Sequence, residues 1–228
     1  MSLVWVFFAV AGVILSGIVG VVMFYSGAWR RYPFLLLYLA AATVVLSLDL
    51  VLYARIGSVH SAAYFNVYYT GDMVLHALIL TMVLFLIREA LVGNRSLDFS
   101  AIAIVLCGAA FLATILYLLY SGGGSFYPLS RNLSFVEEVL NFVLWTILIR
   151  NRSRDVVLLL VSAGLGIQVT GEVIGRTLRM YVESPSVAWL PNALFMICQL
   201  FALYVWYRAF AAYRRQHAAA RPQTSLAG

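Results

Sequence analysis

The chain contains no lysine; all fifteen of its basic residues are arginine. That absence excludes chemistry through a lysine Schiff base, including the retinal linkage of rhodopsins and pyridoxal phosphate catalysis. Charge of either sign is scarce, at 11% of 228 residues against 64% apolar, where a soluble domain carries roughly 25% charged residues. The two cysteines, Cys107 and Cys198, each lie within an apolar run. There, cysteine reads as a small hydrophobe rather than as half of a disulfide or metal pair. No segment alternates apolar and polar residues with period two, so strands are not indicated. What is present is oil, with a mean hydropathy of +0.95, and that makes a helical membrane protein the class.

A helix needs about 20 apolar residues to cross the hydrocarbon core. Seven runs qualify, at about residues 3–25, 34–54, 62–87, 100–120, 133–149, 156–178 and 188–210. The expected fold is therefore all-α, a seven-transmembrane helix bundle over residues 1–214, with a polar, disordered cytoplasmic tail at 215–228. The opening "MSLVWVFF" has no basic residue before its apolar run, so it reads as the first span and not as a cleaved signal. Arginine sets the direction. The connections after spans one, three and five and the C-terminal end hold eleven arginines, and the opposite side holds Arg55, Arg131, Arg176 and Arg179. Basic residues stay on the cytoplasmic side, which predicts the N-terminus outside and the C-terminus in the cytoplasm. The formal charge of +6 thus reports orientation in a bacterial inner (plasma) membrane, not affinity for nucleic acid.

The charges that do enter the spans are unevenly placed. Tyr68, Asp72 and His76 form an i, i+4, i+8 stripe on span three, and Gln168, Glu172 and Arg176 repeat the pattern on span six. Residues so spaced share one helix face. Charged groups facing lipid are costly, so both stripes are expected to face the bundle interior or a wet cavity. Asp49 in span two, Glu137 and Glu138 near the mouth of span five, and Asn192 at the start of span seven fall in the same outer half. The candidate pocket residues are Asp49, Tyr68, Asp72, His76, Glu138, Gln168, Glu172, Arg176 and Asn192. The alternative is a purely structural polar network that fixes helix rotation. Neither a cofactor nor a metal is expected, because His60 and His217 are too far along the chain to converge with His76. Small residues at four-residue spacing, Gly12, Ser16 and Gly20 on span one and Gly171 and Gly175 on span six, predict close helix approach within the chain.

Three stretches, "YFNVYYTGDMVLHALILTMVLFLIREAL", "LSRNLSFVEEVLNFVLWTILIRNRSRD" and "WLPNALFMICQLFALYVWYRAF", resemble a group of short bacterial seven-helix membrane proteins abundant in acidobacterial genomes. In that group an aromatic run on span three often precedes a small and an acidic residue, the place held here by Tyr68, Tyr69, Gly71 and Asp72. The resemblance implies a seven-helix bacterial membrane protein and no particular chemistry.

No HExxH, GxSxG or paired-aspartate motif is present, so the chain is not expected to be an enzyme. A polar patch confined to the outer half over an apolar inner half suits a small-molecule-binding, sensor- or receptor-like module. Its expected partners are the bilayer, a small molecule from the outer side, and a cytoplasmic or membrane protein. A small-solute transporter and a structural subunit of a membrane complex are the rival readings.

Overall fold

Proline and glycine punctuate the chain where its helices begin and end. α1 (Leu3–Ser26) stops at Gly27, whose left-handed φ of 75° admits glycine without strain. One 3-10 turn, Ala28–Arg30, then leads to α2 (Pro33–Ile56), where proline at the first position has no helical hydrogen bond to lose. α3 (Ala62–Leu91), α4 (Phe126–Arg150), α5 (Val156–Tyr181) and α6 (Leu190–Ala219) follow. The structure, a computed structural model, describes residues 3–56, 62–91, 126–151, 155–182 and 189–219. Six helices among these residues are long and apolar enough to cross a membrane, and no strand occurs among them. The chain is thus an all-helical, multi-pass membrane protein. α4, α5 and α6 are the fifth, sixth and seventh expected spans; the fourth, residues 100–120, lies outside the described residues, as does the tail from residue 220.

Two boundaries correct the sequence reading. α4 starts at Phe126, not near residue 133. The polar run "FYPLSRN" lowers the local hydropathy, yet its proline sits in the first turn, where a missing N–H costs nothing. At the other end, α6 continues to Ala219, so residues 215–219 of the tail expected to be disordered are helical. No helix breaker intervenes before Pro222.

Each described helix packs on the next, α1 on α2, α2 on α3, α3 on α4, α4 on α5 and α5 on α6, and α6 returns to α1. The six form a closed ring. α5 and α6 make the most extensive contact, because α5 turns glycines toward its partner. A Cβ on Gly164 would overlap the Trp206 indole, one on Gly171 would overlap Cys198, and one on Gly175 would lie 3.0 Å from the Pro191 carbonyl oxygen. On α1, Gly12 and Gly20 face Leu46 and Leu36 of α2. The small-residue stripes therefore serve packing inside the chain. The outward faces are apolar: on α1 alone, Phe7, Val10, Ile14, Ile18, Val21 and Phe24 are exposed at helical spacing. In water such a face would be a liability; in lipid it is solvated.

One end of the bundle is tied by a charged clamp. Arg31, just after the 3-10 turn, meets Glu89 near the end of α3 at 3.0 Å and Asp155 before α5 at 2.8 Å. Burial works against its charge, but Tyr32, Glu89 and Asp155 more than offset this and hold the guanidinium above its ordinary range. Asp155 also caps α5, its Oδ1 accepting from the backbone N–H groups of Val157 and Leu158 at 3.0 and 3.1 Å. Asp155→Ala removes cap and ion pair together and is expected to cost about 1–2 kcal/mol. Asp155→Asn keeps a good cap and loses only a half-exposed ion pair, expected at about 0–1 kcal/mol. Unfolding of the detergent-solubilised protein measures both; equal losses would mean that the cap contributes nothing.

Candidate functional site

Halfway between the Arg31 end and the Arg179 end, the interior changes character. Below this level, toward Arg31, α3 buries Ile79, Met82, Val83, Leu86 and Ile87, all within 2% of full burial. They pack with Leu144, Leu148, Val161 and Phe210 in one apolar core. Above it, α2, α3, α5 and α6 line a cavity of about 100 Å3, with Tyr38, Asp49, Tyr68, Asp72, His76, Gln168, Glu172 and Gln199 as its polar wall. A cavity needs about 10–15 Å3 by this measure to hold one water, so this one accommodates several waters or one small molecule.

The helical periodicity explains how the wall is assembled. Asp72 and His76 lie one turn apart on α3, and Gln168, Glu172 and Arg176 one turn apart on α5, so each set arrives on a single face. Across the bundle the two faces meet. The Arg176 guanidinium donates to Asp72 Oδ1 at 2.8 Å and to Glu172 Oε1 at 2.7 Å. His76 presents Nδ1 to Glu137 Oε1 at 2.8 Å, and its Nε2 lies 3.3 Å from Glu172 Oε1 and 3.7 Å from Asp72 Oδ2. Ser134 of α4 donates a further hydrogen bond to Glu172 at 3.1 Å. His76 and Glu137 are sealed at 2% and 0% side-chain exposure, whereas Asp72 and Arg176 keep 16% and 15%. The network thus has a closed floor and a partly open rim. On the α2 side, the Gln168 amide donates to the Tyr38 hydroxyl. Tyr38 in turn stands edge-on to Trp206, whose indole N–H is bonded to the Val161 carbonyl at 3.0 Å.

Of the residues singled out from sequence, Asp49, Tyr68, Asp72, His76, Gln168 and Glu172 line the cavity, and Arg176 bonds directly to two of them. Glu138 and Asn192 do not. Glu138 accepts from Thr170 at 2.9 Å on the neighbouring face, and Asn192 accepts from Arg179 at the rim. Adjacent residues on a helix point about 100° apart, so only one of Glu137 and Glu138 can face the axis. It is Glu137, which the sequence reading left near the mouth of its span. Starting the helix at Phe126 sets Glu137 three turns in, opposite His76. Tyr38 and Gln199 were also missed; each is a single polar group in an apolar run, with no polar residue one turn away to mark it.

Asp72, His76 and Glu172 present three ligand atoms within 4.8 Å of one another, a grouping compatible with a metal ion. The Arg176 guanidinium, however, already bonds to both carboxylates of that group. It acts as a resident cation at the same place, and an added divalent ion would have to displace it against mutual repulsion. The donor set therefore suits an internal ion-pair network better than a metal centre. No protein-family model, curated protein or solved structure matches the chain.

Proposed function

We propose that this protein is a small-molecule-binding module of the bacterial inner membrane, with a pocket open to the outer side and a sensor- or receptor-like role exercised through a partner protein. The observation that carries the reading is the division of the bundle interior. A cavity with eight polar residues in its wall occupies one half, and among the described residues an apolar core from Ile79 to Ile87 of α3 fills the other. A transporter needs polar groups on a route through both halves; a receiver needs only one mouth. Arg176, paired with Asp72 and Glu172, bridges α3 and α5, so a ligand competing for either carboxylate acts directly on the contact between two helices. That supplies a means of converting occupancy into helix movement.

The outer side is taken from the arginine asymmetry. Reporter fusions after Arg95 and Arg154 are expected to read cytoplasmic and a fusion after Gly123 external; an external signal at Arg154 would overturn the topology. For the pocket, small cationic, neutral and anionic molecules are screened for thermal stabilisation of the solubilised chain. A hit is expected to lose its effect in both Gln199→Leu and Tyr68→Leu, which fill or strip the wall. If nothing stabilises the protein, or if both variants respond like the parent, the polar groups are a structural network alone.

A further inference from the structure

Asp49 is the charged group of the cavity wall for which the ion-pair network provides no partner. It is only 5% exposed, and its Oδ1 is buried without a hydrogen bond among the described residues. Burying such an oxygen incurs the full desolvation cost of the group with no compensating bond. The cavity's overall charge points the same way. Among the described residues, the groups that line it or bond directly to its charged lining include four carboxylates, of Asp49, Asp72, Glu137 and Glu172, against one guanidinium and one imidazole. Even with His76 charged, four ionised carboxylates would leave the balance negative. In a low-dielectric interior an excess of one sign is unfavourable, and it is relieved by uptake of a proton or by entry of an opposite charge.

We propose that the cavity binds a small alkylammonium ion, its ammonium head on the Asp49 carboxylate and its alkyl part on the apolar wall. The proposal rests on the pocket reading above and names the chemical class of its ligand. Three observations select this class. The cavity, at about 100 Å3, is far below the roughly 300–1,000 Å3 of drug-sized sites, so the ligand has only a few heavy atoms. The cavity wall that includes Asp49 pairs Tyr68 and Gln199 with Val45, Leu46 and Phe195, giving polar atoms for N–H donors and apolar surface for methylenes. Aromatic rings also favour a cation held over them. A hard metal ion would instead be held by carboxylates and waters together, and the carboxylates of Asp72 and Glu172 are already engaged by Arg176.

The test uses the full chain in detergent, with propylammonium, propanol, propionate and Mg2+ as probes, and reads calorimetric binding and the thermal midpoint. Propylammonium is expected to bind and to raise the midpoint, while propanol and propionate of similar shape do not. In Asp49→Asn, which keeps the side-chain size, propylammonium binding is expected to weaken about tenfold or more, the effect of losing one charge-assisted hydrogen bond. Equal binding to parent and Asp49→Asn would overturn the assignment, as would propanol matching propylammonium. Mg2+ binding that excludes propylammonium would overturn it in favour of a metal site. Should Asp49→Asn fail to fold, the comparison of propylammonium with its neutral and anionic counterparts on the parent protein still decides. If propanol or propionate binds and Gln199→Leu abolishes it, the cationic ligand is wrong and the pocket stands. If no probe of any charge binds, the proposed ligand and the pocket reading fall together.

Discussion

Alanine in place of Arg176 is expected to lower the unfolding free energy by about 3–5 kcal/mol, the cost of breaking a buried ion pair by removing one partner. The guanidinium is bonded to carboxylates on two helices, at 2.7 and 2.8 Å, and its side chain is 15% exposed. Its loss leaves Asp72 and Glu172 facing each other across α3 and α5 with His76 between them. Adding Glu172→Gln to Arg176→Ala removes one of the stranded charges and is expected to restore part of the loss. Arg176→Lys, which keeps the charge but cannot span both carboxylates with a planar fork, should fall between. Reversible unfolding in mixed micelles gives these three values and that of Glu172→Gln alone. Strictly additive losses in the double variant would show that Arg176 and Glu172 are not coupled, and the network as described would be wrong.

The second large effect is steric. Gly171→Ala introduces a Cβ that would overlap the Cys198 Cβ and approach its Sγ to 2.7 Å, at the most extensive helix contact of the bundle. Overpacking of this kind costs about 1–3 kcal/mol. The obstruction lies close to the α6 backbone, so side-chain movement cannot relieve it. Cys198→Ala keeps the offending Cβ and should rescue little, whereas Cys198→Gly should rescue much of the loss. Gly17→Ala is the contrasting case: nothing lies within 4 Å of the added carbon, and alanine is favoured over glycine in a helix by about 1 kcal/mol. If Gly17→Ala proves as damaging as Gly171→Ala, backbone effects and not helix approach account for both.

Much of the site was legible because it obeys a period. Tyr68, Asp72 and His76, like Gln168, Glu172 and Arg176, recur every four residues, and lipid on the outside leaves such stripes only the interior to face. The pairing of Arg176 with Glu172 followed from the same spacing, with an acidic group across the bundle expected and Asp72 found. Glu137 was not legible, since neighbouring carboxylates carry no signal as to which one faces the axis until the helix start is known. Nor was the clamp of Arg31, Glu89 and Asp155, because it joins loops and helix ends separated by dozens of residues. Periodicity within a segment does not encode contacts between segments. The glycines of α5 were read as a packing stripe, but their partner helix emerged only from the assembled ring.

The burial of Glu137 bears on the order in which the bundle forms. Glu172 has Arg176 one turn away on its own helix, and Asp72 has His76, so α3 and α5 each carry some internal compensation as they enter the bilayer. Glu137 has no basic side chain within a turn on α4; its contact with His76 belongs to α3 and exists only after the two helices meet. Carried into lipid alone, that carboxyl group is expensive, and the expense ends on docking. α4 therefore gains from its association with α3. Docking on α3 relieves that cost by setting His76 2.8 Å from the Glu137 carboxylate.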